Sequence, residues 1–335
     1  MQNSAAASSM RSASVDLMAL SDYITTFGQA MVRRYGERVH KIALDVGFTC
    51  PNRDDSRGRG GCTFCNNVSF SPNGRQPSPI AQQVAAGRAV VARRTGARHV
   101  LAYFQAYTNT YADVGRLRVL YDEALAQPGV IGMSVGTRPD CVPHEVLDLL
   151  QGYRDSGLEV WLELGLQSSF DATLRRVNRG HGFSEYRTAV LAARSRGMPV
   201  CTHLILGLPG ESAAHGRTTL ARVLDLGVDG LKLHPLHVVK GTQLANEWRR
   251  GEYSPLSEEE YIELAADLIE MTPAEVIYHR VTGTAASGIL LAPAWCGHKW
   301  RILNGIEAAL RRRGTSQGSA LRRAARGLVA GGLSN

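Results

Sequence analysis

The chain has 335 residues, 44% of them hydrophobic and 20% charged, and a formal net charge of +8. These are the proportions of an ordinary globular protein long enough to bury a sizeable core, which sets aside fibrous and wholly disordered classes. No apolar run approaches bilayer length, and the Ser- and Ala-rich start lacks the apolar stretch of a secretory signal. Residues 1–20 are therefore expected to be a disordered leader, with no membrane partner and a cytoplasmic location.

From there, short β-branched apolar runs alternate with amphipathic stretches. Strands are expected at 41–46, 99–104, 131–135, 159–164, 200–206 and 230–234, and helices at 80–95, 114–127, 144–156, 184–196 and 213–226. Gly96, Gly157, Gly197 and Gly227 follow four of the helices, as terminating glycines do. Strands alternating with helices predict βα units on a parallel sheet. Six units fit a partial (β/α)6 TIM-like barrel, although the pattern alone leaves a doubly wound sheet open. The rhythm changes after His234. Ser257 and Glu260 form a capping-box pattern opening a helix to about Met271, and a further strand is expected at 275–279. The expected organisation is a core barrel at 21–245, a C-terminal α/β extension capping it at 246–314, and a basic flexible tail at 315–335.

Charge is unevenly spread. Residues 301–335 hold seven Arg (Arg301, Arg311, Arg312, Arg313, Arg322, Arg323, Arg326) against Glu307. That is the electrostatic footprint of a polyanion partner such as RNA, or else a solvated tail. Of 38 basic residues only Lys41, Lys232, Lys240 and Lys299 are Lys. In a chain that otherwise uses Arg, a Lys marks a place where a compact, titratable amine matters.

Six cysteines in a cytoplasmic chain point to metal or redox chemistry. Three stand together in Cys50-Pro-Asn-Arg-Asp-Asp-Ser-Arg-Gly-Arg-Gly-Gly-Cys62-Thr-Phe-Cys65, directly after the first strand. Functional residues of parallel βα folds gather at that end of the strands. Gly58, Gly60 and Gly61 let the backbone wrap a cluster closely, and Arg53, Arg57 and Arg59 offset its negative charge. Three thiolates are one short of the usual four, which leaves one iron free to bind a substrate. A zinc site is the alternative, its fourth ligand coming from Cys141, Cys296 or a His.

At these residues the chain resembles the radical S-adenosylmethionine (SAM) superfamily, and within it the YhcC/YtqA-type subgroup, relatives of the catalytic Elongator subunit. The eleven-residue gap between Cys50 and Cys62 is that of the subgroup. The resemblance implies a 4Fe-4S cluster on Cys50, Cys62 and Cys65, with SAM bound to the open iron. It places Phe64 near the adenine. It replaces the superfamily's Gly-Gly-Glu with Tyr103-Phe-Gln-Ala-Tyr-Thr-Asn-Thr-Tyr-Ala112, making Gln105, Tyr107, Thr108 and Asn109 candidates for the methionine end. Glu163-Leu-Gly-Leu-Gln-Ser168 and Asn178-Arg-Gly-His181 put Gln167 at the ribose and Arg179 at the carboxylate. Gly207 lies in the glycine-rich stretch expected against the adenine.

Lys232 and His234 alternate with apolar neighbours and share one strand face. If that face is the barrel interior, they are the candidates for substrate binding or proton transfer. His279-Arg-Val-Thr-Gly283 and Pro293-Ala-Trp-Cys-Gly-His-Lys299 also resemble the subgroup, with no chemistry assigned to them. The implied reaction is reductive cleavage of SAM at the cluster to methionine and a 5′-deoxyadenosyl radical, which abstracts hydrogen from a substrate. The implied electron donor is a flavodoxin or ferredoxin. Kinship with Elongator and the basic C-terminal segment favour tRNA wobble-uridine modification. A small metabolite, a protein side chain, or a non-catalytic Fe-S/RNA-binding role are the alternatives.

Overall fold

The structure, a computed structural model, describes residues 19–66, 77–286 and 288–323. Nearly all of the expected leader, and the tail beyond 323, lie outside the described residues. Ten α-helices and nine strands occur among them. The chain opens with a 3-10 turn and α1 (Phe27–Tyr35), then alternates β1 (Val39–Leu44), α2 (Ile80–Thr95), β2 (His99–Phe104), α3 (Val114–Leu125), β3 (Val130–Thr137) and α4 (His144–Asp155). It continues through β4 (Glu159–Gln167), α5 (Asp171–Arg176), α6 (Phe183–Arg194), β5 (Val200–Leu206), α7 (Ala213–Leu224) and β6 (Gly230–Pro235). The last part holds β7 (Val238–Val239), α8 (Gln243–Arg249), α9 (Glu258–Met271), β8 (Ile277–Arg280), β9 (Leu290–Ala292) and α10 (Lys299–Arg313).

Local chemistry sets many of these ends. The Ser257 hydroxyl accepts from Glu260 N at 3.1 Å, while the Glu260 carboxylate accepts from Ser257 N at 2.7 Å, closing the anticipated capping box. α2 stops at Gly96, whose φ of +70° continues no helix. β1 begins two residues before the expected strand and ends two residues before it. The short α5 has no counterpart in the expected elements, since six residues carry too little periodicity to read.

Seven strands form one parallel sheet in the order β1-β2-β3-β4-β5-β6-β8. The seventh comes from beyond the expected core boundary at 245: β8 pairs with β6, Gly230 opposite Ile277. β7 and β9 form a separate antiparallel pair.

The sheet curls into an open barrel, and side chains show how far. Lys41 Nζ on β1 lies 2.9 Å from His279 Nδ1 on β8, although the two strands stand at opposite edges of the sheet. Strand alternation then sorts the residues. Leu162, Leu164 and Leu166 face outward into the main apolar core beneath the helices. Trp161, Glu163, Gly165 and Gln167 face the barrel axis. Phe27 of α1 packs edge-on against Trp161 and His279 and joins Val39, Leu101 and Cys201 in a plug at the strands' N-terminal ends.

The C-terminal arginines are not a free basic surface. Arg301 pairs with Glu258, Arg311 with Glu307 and Arg312 with Glu263. Arg313 joins Glu263, Asp267 and Glu270, and Arg323 joins Glu270. The acids of α9 thus clamp α10, and the local field is largely neutralised. Residues 315–323, expected within the flexible tail, pack on the body. Gln317 is buried, accepts from Thr25 N at 2.8 Å and donates to Val276 O at 2.7 Å. Among the described residues no helix is long and apolar enough to cross a membrane.

Candidate active site

A cavity of about 630 Å³ opens at the C-terminal ends of the strands. Cys50, Cys62 and Cys65 line it together with Phe64, Gln105, Tyr107, Thr108, Gln167, Arg179 and His234. Three residues singled out in the sequence do not line it. Asn109 is wholly buried in its wall, donating through Nδ2 to Gly136 O at 2.8 Å. Gly207, at φ +85°, faces a neighbouring hollow beside Leu256 and Tyr253. Lys232 lies beneath the cavity in an ion pair.

The cysteine loop is held in place from within. Asn52 donates to Asn178 O at 2.5 Å and toward Cys62 Sγ at 3.7 Å. Asn178, itself in the left-handed region at φ +51°, donates back to Arg59 O and Gly61 O. Gly61, at φ +79°, lets Arg53 cross the loop, where an added Cβ would stand 2.8 Å from Arg53 Nε. Arg53 then reaches Cys65 O at 2.8 Å. Burial and the neighbouring Cys62 raise the Cys65 thiol, and Arg53 opposes them.

Arg179, expected at the carboxylate, is buried. It directs Nη1 at Cys62 Sγ (3.6 Å) and Nη2 at Gly165 O (2.5 Å). Gly165 makes room, since a Cβ there would lie 2.9 Å from that Nη2. Arg138, equally buried, grips Asp140 with two nitrogens and donates to Arg179 O at 2.8 Å. This fork is the planar pairing that suits Arg.

Strain gathers here. Four described non-glycine residues have positive φ: Asp55, Tyr107, Gln167 and Asn178. Tyr107 and Gln167 line the cavity. The β4–β5 register breaks between Gly165 and Gln167, and such an irregularity re-aims a side chain.

Below the cavity sits a network centred on Glu163, of which the sequence singled out only Lys41 and Lys232 and not their meeting. Glu163, with no exposure, accepts from Lys41 Nζ and Ser134 Oγ, each at 2.5 Å, from His203 Nε2 at 2.7 Å, and from Lys232 Nζ. Lys232 also donates to the Tyr103 hydroxyl at 2.8 Å. The ammonium groups and His203 hold Glu163 far below the usual carboxylate range against its burial. Burial pulls Lys232 down to about 8 and His203 to about 4. Glu163, Cys201 and His203 bring ligand atoms within 4.8 Å, but two ammonium groups already occupy the carboxylate, so a cation gains little there. One signal was available: a charged residue inside an otherwise apolar strand, as in Val39-His-Lys-Ile-Ala-Leu44, must find a partner when buried.

The donor set fits the implied group. Three thiols reach one cavity, and buried N–H groups point at one sulfur. The buried Thr108 hydroxyl on the cavity wall has no partner among the described residues. Cys141, Cys201 and Cys296 are buried thiols, with burial raising each, so a fourth protein thiolate would be costly.

Two family models match the chain: the Radical SAM superfamily over residues 49–223 and the Radical SAM C-terminal domain over residues 228–312. Protein YhcC of Escherichia coli is 50% identical over 306 residues, covering 91% of this chain and 98% of that protein. YtqA of Bacillus subtilis is 37% identical, over 89% and 92% respectively. The tRNA uridine(34) acetyltransferase of Methanocaldococcus infernus is 30% identical over 45% of this chain and 28% of that protein. Among solved structures, archaeal Elp3 from Methanocaldococcus infernus has the same fold, with a TM-score of 0.63 and 18% identity over 83% of this chain and 64% of that one. The chain belongs to the radical SAM superfamily alongside YhcC and YtqA, and it is a radical SAM enzyme whose cofactors are a 4Fe-4S cluster and S-adenosylmethionine.

Proposed function

We propose that Cys50, Cys62 and Cys65 hold the cluster and that the protein modifies tRNA at the wobble uridine. When bound, cluster and SAM supply a one-electron cleavage that yields a 5′-deoxyadenosyl radical for hydrogen abstraction. The chain's own residues bind, orient and screen. Arg53 and Arg179 lower the cost of negative charge on the sulfurs. Phe64, Gln105, Tyr107, Thr108, Gln167 and Arg179 offer SAM an aromatic face, polar donors and a guanidinium, braced from behind by Asn109. His234 faces the chamber, while Lys232 supports its floor through Glu163. A flavodoxin or ferredoxin would deliver the electron, in the cytoplasm.

The observation that carries the substrate class is the cavity's rim. Lys299 lines the mouth, and the next residue, Trp300, is 73% exposed, with the Lys299 ammonium 5.6 Å from its ring centre. An exposed indole beside a cation is a platform for an unstacked base. The likeness to a tRNA uridine(34) acetyltransferase supports the same reading. The arginine-rich end does not, because its described arginines are largely spent on acids.

Nucleoside profiling of tRNA from a deletion strain should show an altered wobble uridine, and an unchanged profile would overturn the reading. Trp300→Ala should weaken tRNA binding about fivefold to tenfold, the worth of one base stack, without changing its salt dependence. Lys299→Ala should instead lower the slope of log affinity against log salt by about one. Filter binding across a salt series separates the two.

A further inference from the structure

Apart from His279, which touches Lys41, the motif His279-Arg-Val-Thr-Gly283 takes no part in the site so far. It runs out of β8 onto the cavity wall, where Arg280, Thr282 and Gly283 line the space. Arg280 stands opposite Lys232 of β6 in the sheet register. Gly283 lets the segment lie on the His234 ring, since a Cβ there would fall 2.6 Å from His234 Nδ1. The Arg280 side chain, partly buried, makes no ion pair or hydrogen bond among the described residues. That is an uncommon state for a guanidinium turned into a cavity.

Charge around it is unbalanced. Lys41, Lys232 and Arg280 carry three positive charges near the barrel axis, and Glu163 answers them with one carboxylate already filled by other donors. His203, His234 and His237 surround the space with imidazoles held down by burial, helped by Lys232 at His203 and by Arg280 at His234 and His237, so they present ring nitrogens without adding charge. The His203 and His234 ring centres lie 5.9 Å apart, with the planes tilted by 44°. The cysteines stand on the loop after β1, and Arg53 and Arg179 attend to them there, leaving Arg280 on the β6–β8 side.

We infer that Arg280, with His234 and His237 beside it, is an anion seat that fixes a carboxylate or phosphate group of the substrate inside the chamber. This rests on the reading of the cavity as the place where SAM and substrate meet. The guanidinium fork matches two oxygens of either group, and the excess positive charge beneath favours an anion over a neutral substrate. A substrate held by its charged end presents its neighbouring carbon at a fixed place, which a hydrogen abstraction needs.

The test is anion binding by calorimetry to reconstituted protein saturated with SAM, its cluster kept oxidised so that nothing turns over. Inorganic phosphate and acetate are the two probes, and the tighter of them identifies the group. Arg280→Gln should weaken binding about tenfold or more, and Arg280→Lys several-fold, since an ammonium keeps the charge and loses the fork. Melting curves check that each variant is folded, and the Lys variant carries the test if the Gln variant is not. Binding of neither anion to the wild type, or unchanged affinity in a folded variant, overturns the inference. Intact anion binding with an unaltered wobble uridine would sink the tRNA reading alone. The reverse pattern would sink only this one.

Discussion

Cys62→Ala should yield a protein that retains no stable cluster after anaerobic reconstitution and forms no 5′-deoxyadenosine above background. Of the three clustered cysteines, Cys62 is the most buried, and Asn52 and Arg179 aim N–H groups at its sulfur. Losing it removes a soft ligand and leaves a buried guanidinium nitrogen facing a methyl group. The second effect should cost about 1–3 kcal/mol of stability, seen as a melting temperature lower by several degrees. Cys62→Ser separates the two. The hydroxyl oxygen still accepts from Arg179, so stability should largely return, while the harder ligand should still fail to hold the cluster. Iron and sulfide content, visible absorbance and a melting curve give the readouts. Iron and sulfide at wild-type levels in either variant would show that Cys62 is not a ligand.

The parts of this molecule that were legible beforehand are those written locally. Apolar runs placed six strands to within a few residues. Ser257 with Glu260 marked the start of α9, and Gly96 the end of α2. The cysteine spacing located the candidate site, because one loop carries all three thiols. What escaped depends on residues remote in sequence. Lys41, Glu163, Lys232 and His279 meet only because the sheet curls, and alternation could assign Lys232 to the inner face but not to a depth below the cavity. β8 reads as an appendage until its pairing with β6 is seen. The arginine-rich end misled for a different reason. Net charge was counted along the chain, whereas Glu263, Asp267 and Glu270 recur at helical spacing and present one acidic stripe. That stripe was readable as a partner for α10.

Glu163→Gln should be the most damaging change among the buried polar residues described here. The carboxylate neutralises Lys41 and Lys232 at once, so its loss leaves two ammonium groups and Arg280 inside the barrel without a counter-charge. Removing one partner of a buried ion pair costs about 3–5 kcal/mol, against far less for replacing the whole set by apolar groups. A melting temperature lower by roughly 4–7 °C follows for a chain of this length. The sign of the pH dependence adds a sharper check. Glu163 has a depressed folded pKa, so its contribution is complete above the unfolded carboxylate value of about 4.3 and is lost as pH falls through the folded value. Lys232 is a base pulled down to about 8, so between there and about 10.4 the unfolded chain binds more protons and rising pH stabilises the fold. Without Glu163, Lys232 releases its proton more readily, since that carboxylate is what opposes the effect of burial. The variant should therefore recover part of its deficit between pH 7 and 9, and Glu163→Gln with Lys232→Met should be more stable than Glu163→Gln alone at pH 7. A single variant melting within about 2 °C of the wild type across that range would show that the charges beneath the cavity are balanced in some other way.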